Sequence, residues 1–131
     1  MDGSPSKYSR MDEAFRINLK DLPELSISHG AGRKKVFRSN EEDSSALTQF
    51  AWARLENQEF CELHKHPTMD EYFFVHRGRG KYRIGEQLLD IVEGDFIRIP
   101  ANTSHELSMS KISEGLELIY FGIDTEMVKG T

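Results

Sequence analysis

A chain of 131 residues, 37% hydrophobic and 30% charged, has the size of one domain and the composition of a globular protein rather than a disordered one. Its net charge of −5 gives no electrostatic basis for binding nucleic acid or an anionic membrane, and no apolar run approaches the ~18–20 residues of a membrane-spanning helix. With Cys61 as the single cysteine, there is no internal disulfide framework.

The N-terminal stretch "MDGSPSKYSRMDEAFR" is polar and lacks the apolar centre of a signal peptide. That absence and the lone cysteine give the expectation of a cytoplasmic protein. Residues 1–15 read as a flexible arm, and residues 16–131 as one domain. "INLKDLPELSI", interrupted by Pro23, is expected to be an extended segment. "HGAGRKK", residues 29–35, reads as a loop, and "EEDSS", residues 41–45, as a polar turn. From Val36 onward the pattern is β. "ALTQFAWARLE", "EYFFV", "GKYRI", "LLDIV", "DFIRI", "HELSM" and "LELIYFGI" are short apolar or alternating runs. Between them lie "RGRG", "GEQ", "EGD", "PANTS" and "KISEG". Short strands punctuated in this way predict an all-β sandwich or barrel. No stretch of this region carries a 3.6-residue period. Gly85 and Gly94 stand where tight turns need positive φ.

"HKHPTMDEYFFVHRGRG", residues 64–80, carries the chemistry. Side chains two apart on a strand point the same way, so His64 and His66 offer both imidazoles to one face. Pro67 interrupts the strand, and a hairpin-like return from residues 68–70 would bring Glu71 back beside them. Phe73 and Val75 share the Glu71 face. Two imidazoles and a carboxylate form the ligand set of a facial metal site. His105 follows a strand and a proline turn in "GDFIRIPANTSHEL", and shares a face with Leu107 and Met109. If that face lines the same interior, three histidines and one glutamate meet. Such ligands suit one divalent transition metal, Fe, Mn, Ni or Zn, without selecting among them.

Residues 64–78 resemble the first motif of the cupin superfamily: His64-Lys65-His66, four residues, Glu71, six residues, Gly78. Residues 94–105 are similar to its second motif, with Gly94, Pro100 and His105 at the family spacing. The resemblance covers about residues 47–123. It implies an all-β, single-domain jelly-roll barrel with a metal held inside by His64, His66, Glu71 and His105. Three positions depart from the family pattern. Gln58 stands where glycine is common six residues before the first histidine. Asn102 replaces a turn glycine, though asparagine tolerates the left-handed region. Met109 replaces an asparagine and would make its side of the pocket apolar.

Other residues divide between surface and site. By strand parity Asp70 faces away from Glu71 and reads as a turn residue. His29 and His76 lie outside the motifs. Cys61, three before His64, is assigned to the opposite face as a small buried hydrophobe. In "FAWARLENQ", Phe50, Trp52 and Arg54 share one face while Leu47, Ala51, Ala53 and Leu55 share the other. Parity leaves open which lines the barrel, so Trp52 and Arg54 are candidates for the pocket or for a dimer interface. Phe73, Leu107 and Met109 complete the candidate lining. Apolar residues on both faces of "EYFFV" lead to the expectation of a homodimer.

The resemblance fixes a fold more than a reaction. The leading expectation is a metal-dependent enzyme acting on a small polar molecule (a sugar, sugar phosphate or oxo-acid) by Lewis-acid isomerase or lyase chemistry. Within it, a sugar-phosphate isomerase-like role is the first choice. The alternatives are an Fe(II)-dependent dioxygenase and a sensing barrel that binds a ligand without turnover.

Overall fold

Strand alternation sets the two faces of each sheet. Along Met69–Arg77, Glu71, Phe73 and Val75 are buried while Phe74 and His76 are exposed. Along Leu116–Asp124, Leu116, Leu118, Tyr120 and Gly122 are buried in the same alternation. Each such strand gives one side to a shared interior. The computed structural model describes residues 13–56, 58–109 and 115–129.

The strands in chain order are β1 (Leu25–Ser26), β2 (Gly30–Ala31), β3 (Arg33–Ser39), β4 (Leu47–Leu55), β5 (Phe60–His64), β6 (Met69–Arg77), β7 (Arg79–Ile84), β8 (Gln87–Val92), β9 (Phe96–Ile99), β10 (His105–Met109) and β11 (Leu116–Asp124). They form a six-stranded sheet, β1-β3-β4-β11-β6-β9, and a five-stranded sheet, β2-β5-β10-β7-β8. All pairings are antiparallel. The result is a jelly-roll. Leu55, Val75, Tyr82, Ile99, Leu116 and Leu118 are the largest side chains wholly enclosed between the sheets. Each contributes about 1.5–3 kcal/mol of burial. No helix among the described residues is long and apolar enough to cross a membrane.

Several sequence expectations need correction. Leu19–Asp21 is a 3₁₀ turn, capped by the Asn18 side chain, within the segment expected to be extended. Residues 29–35 are not simply a loop, because they hold β2 and the start of β3. A short helix, α1 (Thr125–Lys129), follows the last strand. Most of the expected N-terminal arm, and most of the "KISEG" turn, lie outside the described residues. Phe15, at the arm's end, lies under the Arg38 guanidinium, 4.7 Å from ring centre to Cζ.

The turns carry their expected backbone. Gly85 and Gly94 have φ of 58° and 93°. Asn102 and Gln58 occupy the left-handed region too, at 63° and 71°. Both positions where the family favours glycine therefore keep the glycine-like conformation, at a strain that asparagine bears more easily than glutamine.

Candidate metal centre

Three strands and one turn deliver the candidate ligands. His64 ends β5 and pairs with His105, which begins β10. Leu107 pairs with Cys61, so β5 holds one residue more than β10 over this step. That bulge turns Cys61 to the same interior as His64, and their Sγ and Nδ1 atoms lie 3.9 Å apart. The expectation that Cys61 faces the other way fails here, because a bulge breaks the two-residue alternation. Burial pushes its thiol up to about 11, so it stays a protonated hydrophobe, not a nucleophile.

His66 lies past the end of β5, and its carbonyl accepts the Asn102 N–H at 2.7 Å. Asp70 ties the same turn to β6. One of its oxygens accepts the Ala101 N–H at 2.7 Å and the other pairs with Arg98 at 3.1 Å. The Pro100 turn is thus fastened at both neighbours of the site, and it leads directly into His105. Glu71 sits in β6 opposite Ile99 on one side and Gly122 on the other.

One potential donor atom from each of His64, His66, Glu71 and His105 lies within 4.8 Å of all the others. Glu71 Oε1 is 3.3 Å from His66 Nε2 and 3.2 Å from His105 Nε2. The imidazole tautomers follow from the backbone. His64 Nδ1 is 2.6 Å from the Glu62 carbonyl, and His105 Nδ1 is 2.8 Å from that of Thr103. A carbonyl only accepts, so each Nδ1 donates and each Nε2 keeps its lone pair in the neutral ring. Burial lowers the His64 and His66 pKa values and favours that neutral form. Nε2 lone pairs and a carboxylate oxygen therefore face one another.

Glu71 Oε1 and His105 Nε2 are buried and make no hydrogen bond among the described residues. Acceptors aimed at one point and left without donors are costly. A cation at that point satisfies all of them, and borderline nitrogen and oxygen donors suit a divalent transition ion. Backbone carbonyls behind the rings are the usual means of fixing such ligands.

The cluster opens into a cavity of about 110 Å³, room for several waters or one small organic molecule. Phe73 and Leu107 line it, together with Ala53, Leu55, Leu118, Tyr82 and Tyr120. Trp52 and Arg54 do not, because the odd-numbered face of β4 turns inward. The Trp52 indole donates to Glu117 at 2.9 Å, and Arg54 pairs with Glu56 and Glu117 on the outer face. Met109 lies at the far end of β10, opposite Gly80, and packs against the core outside the cavity lining. Sequence reasoning passed over Lys34, Gln49 and His29, which do line the cavity. His29 stacks on His64 with ring centres 4.3 Å apart. Its one visible signal was a histidine directly before Gly30. Lys34 carried none.

Residues 51–114 match the family model of the cupin domain. Two proteins of Arthroderma benhamiae, an oxalate decarboxylase and a probable oxalate decarboxylase, are 27% and 31% identical over 114 residues. Each comparison takes in 83% of this chain but only 26% and 28% of the relative. The chain thus spans about a quarter of the length of these relatives. The crystal structure of a predicted oxalate decarboxylase from Thermotoga maritima has a TM-score of 0.74 at 21% identity, covering 84% of this chain and 99% of that one. KdgF from Halomonas sp. has a TM-score of 0.67 at 16% identity, covering 86% and 97%. At these identities the structures speak for the fold. The paired sheets, the two motifs in order and the family match together place this chain in the cupin superfamily.

Proposed function

We propose that this chain binds one divalent transition metal through His64, His66, Glu71 and His105, and that it acts on a small oxo-acid or related carboxylate in lyase-type chemistry. Lys34 carries the substrate class. It lines the cavity, yet it takes part in no ion pair among the described residues. A cation without a protein anion beside a metal-ligand cluster supports an anionic ligand. The names of the two fungal relatives point the same way.

A metal bound here supplies Lewis-acid polarisation of a carbonyl or carboxylate oxygen. The chain does the rest. Lys34 offers its ammonium to a carboxylate group. Leu55, Leu107 and Leu118 wall the cavity and limit water around it. Burial raises the Tyr82 and Tyr120 pKa values, so both phenols remain O–H donors at neutral pH.

The test is a turnover screen of protein loaded separately with Mn, Fe, Ni and Zn. Oxalate, other oxo-acids, sugars and sugar phosphates are offered with and without O₂. Carboxylate cleavage supports the proposal. Turnover of sugars alone, or of any substrate only by O₂ incorporation, contradicts it. Lys34→Met should raise KM for the carboxylate about tenfold or more at unchanged metal content, the cost of a charge-assisted contact.

The assembly proposed with this function is a homodimer. Phe37, Phe50, Phe121, Tyr72 and Phe96 touch ring to ring across the outer face of the six-stranded sheet. Phe50, Phe74 and Phe96 stay exposed there, and a second copy would cover this face. Light scattering at micromolar concentration should give twice the chain mass. A monomer mass would contradict the dimer.

A further inference from the structure

We infer that His29 is a positioning residue for His64, holding that imidazole in the orientation that serves the metal cluster. The inference rests on the metal reading above and adds a residue from outside both cupin motifs. His29 belongs to the segment that reaches β2, well before the strands that bear the ligands. Its ring lies nearly parallel to that of His64, at 21° and 4.3 Å between centres. His66 is farther, at 6.0 Å and 59°. His29 is not one of the four residues whose donor atoms converge. Its contact is through the ring face.

Backbone geometry holds the stack in place. The peptide of Glu62 serves both rings: its N–H donates to the His29 carbonyl at 2.5 Å, and its carbonyl accepts from His64 Nδ1 at 2.6 Å. The position of the His29 backbone and the rotation of the His64 ring are therefore set by one peptide. Gly30 closes the approach. A Cβ built there would lie 2.0 Å from the Phe60 carbonyl oxygen, and φ is 147°. Only glycine lets β2 pair with β5 this closely, and that pairing sets His29 over His64. Opposite the stack, His105 meets the His64 ring at 4.3 Å and 60°. His64 is thus held between two rings, with Nδ1 occupied and Nε2 directed to the cluster. An outer contact of this kind fixes a ligand without touching the ion.

The experiment compares wild type, His29→Ala and His29→Phe by two readouts. Cobalt(II) titration followed by d–d absorption reports affinity and ligand geometry. The His64 ring resonances of the metal-free protein report the stack itself, whether or not cobalt binds. His29→Ala should weaken cobalt binding about tenfold, alter the d–d bands and shift the His64 signals. His29→Phe keeps a ring face and removes both nitrogens, so it should restore all three. If both variants lose cobalt equally, a His29 nitrogen rather than its ring face is at work, and the inference is overturned. Unchanged His64 signals in His29→Ala overturn it as well. If wild type binds no cobalt, the metal reading fails by itself, and retention or loss of the His64 Nδ1 proton's hydrogen bond to the Glu62 carbonyl in His29→Ala still decides whether His29 orients His64. A thermal melt of each variant checks that the barrel is folded.

Discussion

Glu71→Gln is expected to abolish the proposed metal binding and to make the metal-free chain more stable. The two effects have opposite signs for one physical reason. Glu71 Oε1 and His105 Nε2 are buried, 3.2 Å apart, and make no hydrogen bond among the described residues. Both are acceptors in the neutral-imidazole form, because His105 Nδ1 donates to the Thr103 carbonyl. A glutamine amide removes the buried charge and provides an N–H that His105 Nε2 can accept. Relief of unsatisfied buried atoms amounts to about 1–2 kcal/mol, a rise in Tm of about 3–8 °C for a chain of this size. A metal held by the four side chains would lose its anionic ligand. Structural zinc sites bind with about 10–16 kcal/mol from four ligands, so losing one costs about 3 kcal/mol, more than a hundredfold in affinity. Calorimetric melts and metal titrations of both proteins check the pair of signs. A Glu71→Gln protein that melts lower without metal would show that Glu71 is satisfied as it stands.

Gly78→Ala is expected to cost at least about 3 kcal/mol, the range of severe backbone clashes. Gly78 ends the first motif between β6 and β7, with φ of 87°. A Cβ there would lie 1.8 Å from the Gly115 carbonyl oxygen. The obstacle is backbone at the entry to β11, the central partner of β4 and β6, so it cannot move aside as a side chain would. Denaturant unfolding should show a midpoint far below wild type. A loss under about 1 kcal/mol would mean that the turn relaxes freely. The family glycine at this place is therefore explained by fold geometry, without reference to ligand binding.

Much of this architecture was legible because the interior is read by alternation. Glu71, Phe73 and Val75 share a buried face because they are two apart on a regular strand. The grouping of His64, His66, Glu71 and His105 was legible from their spacing around the two proline turns, although His66 lies past the end of β5 and not on a strand. Legibility ended where alternation did. One extra residue in β5 placed Cys61 beside His64. In β4 apolar side chains stand on both faces, since Phe50 and Trp52 lie on the outer side, where Trp52 donates to Glu117, and hydrophobicity alone could not choose the inner one. His29 lies in the turn before β2, and Lys34 in β3 pairs with Ala53 far along the chain, so nothing local announced them. The five residues of α1 are too few to display a helical period. Gln58 showed that a sequence departure need not be a structural one, because its backbone adopts the turn that glycine would.

Anomalous diffraction from crystals of metal-loaded wild-type protein would locate the ion and its ligands. One strong peak is expected inside the barrel, bonded to the Nε2 atoms of His64 and His105, to His66 and to the Glu71 carboxylate, at about 2.0–2.2 Å if the ion is zinc. A peak at any other place, or a loaded crystal with no peak among these four side chains, would contradict the proposed metal centre.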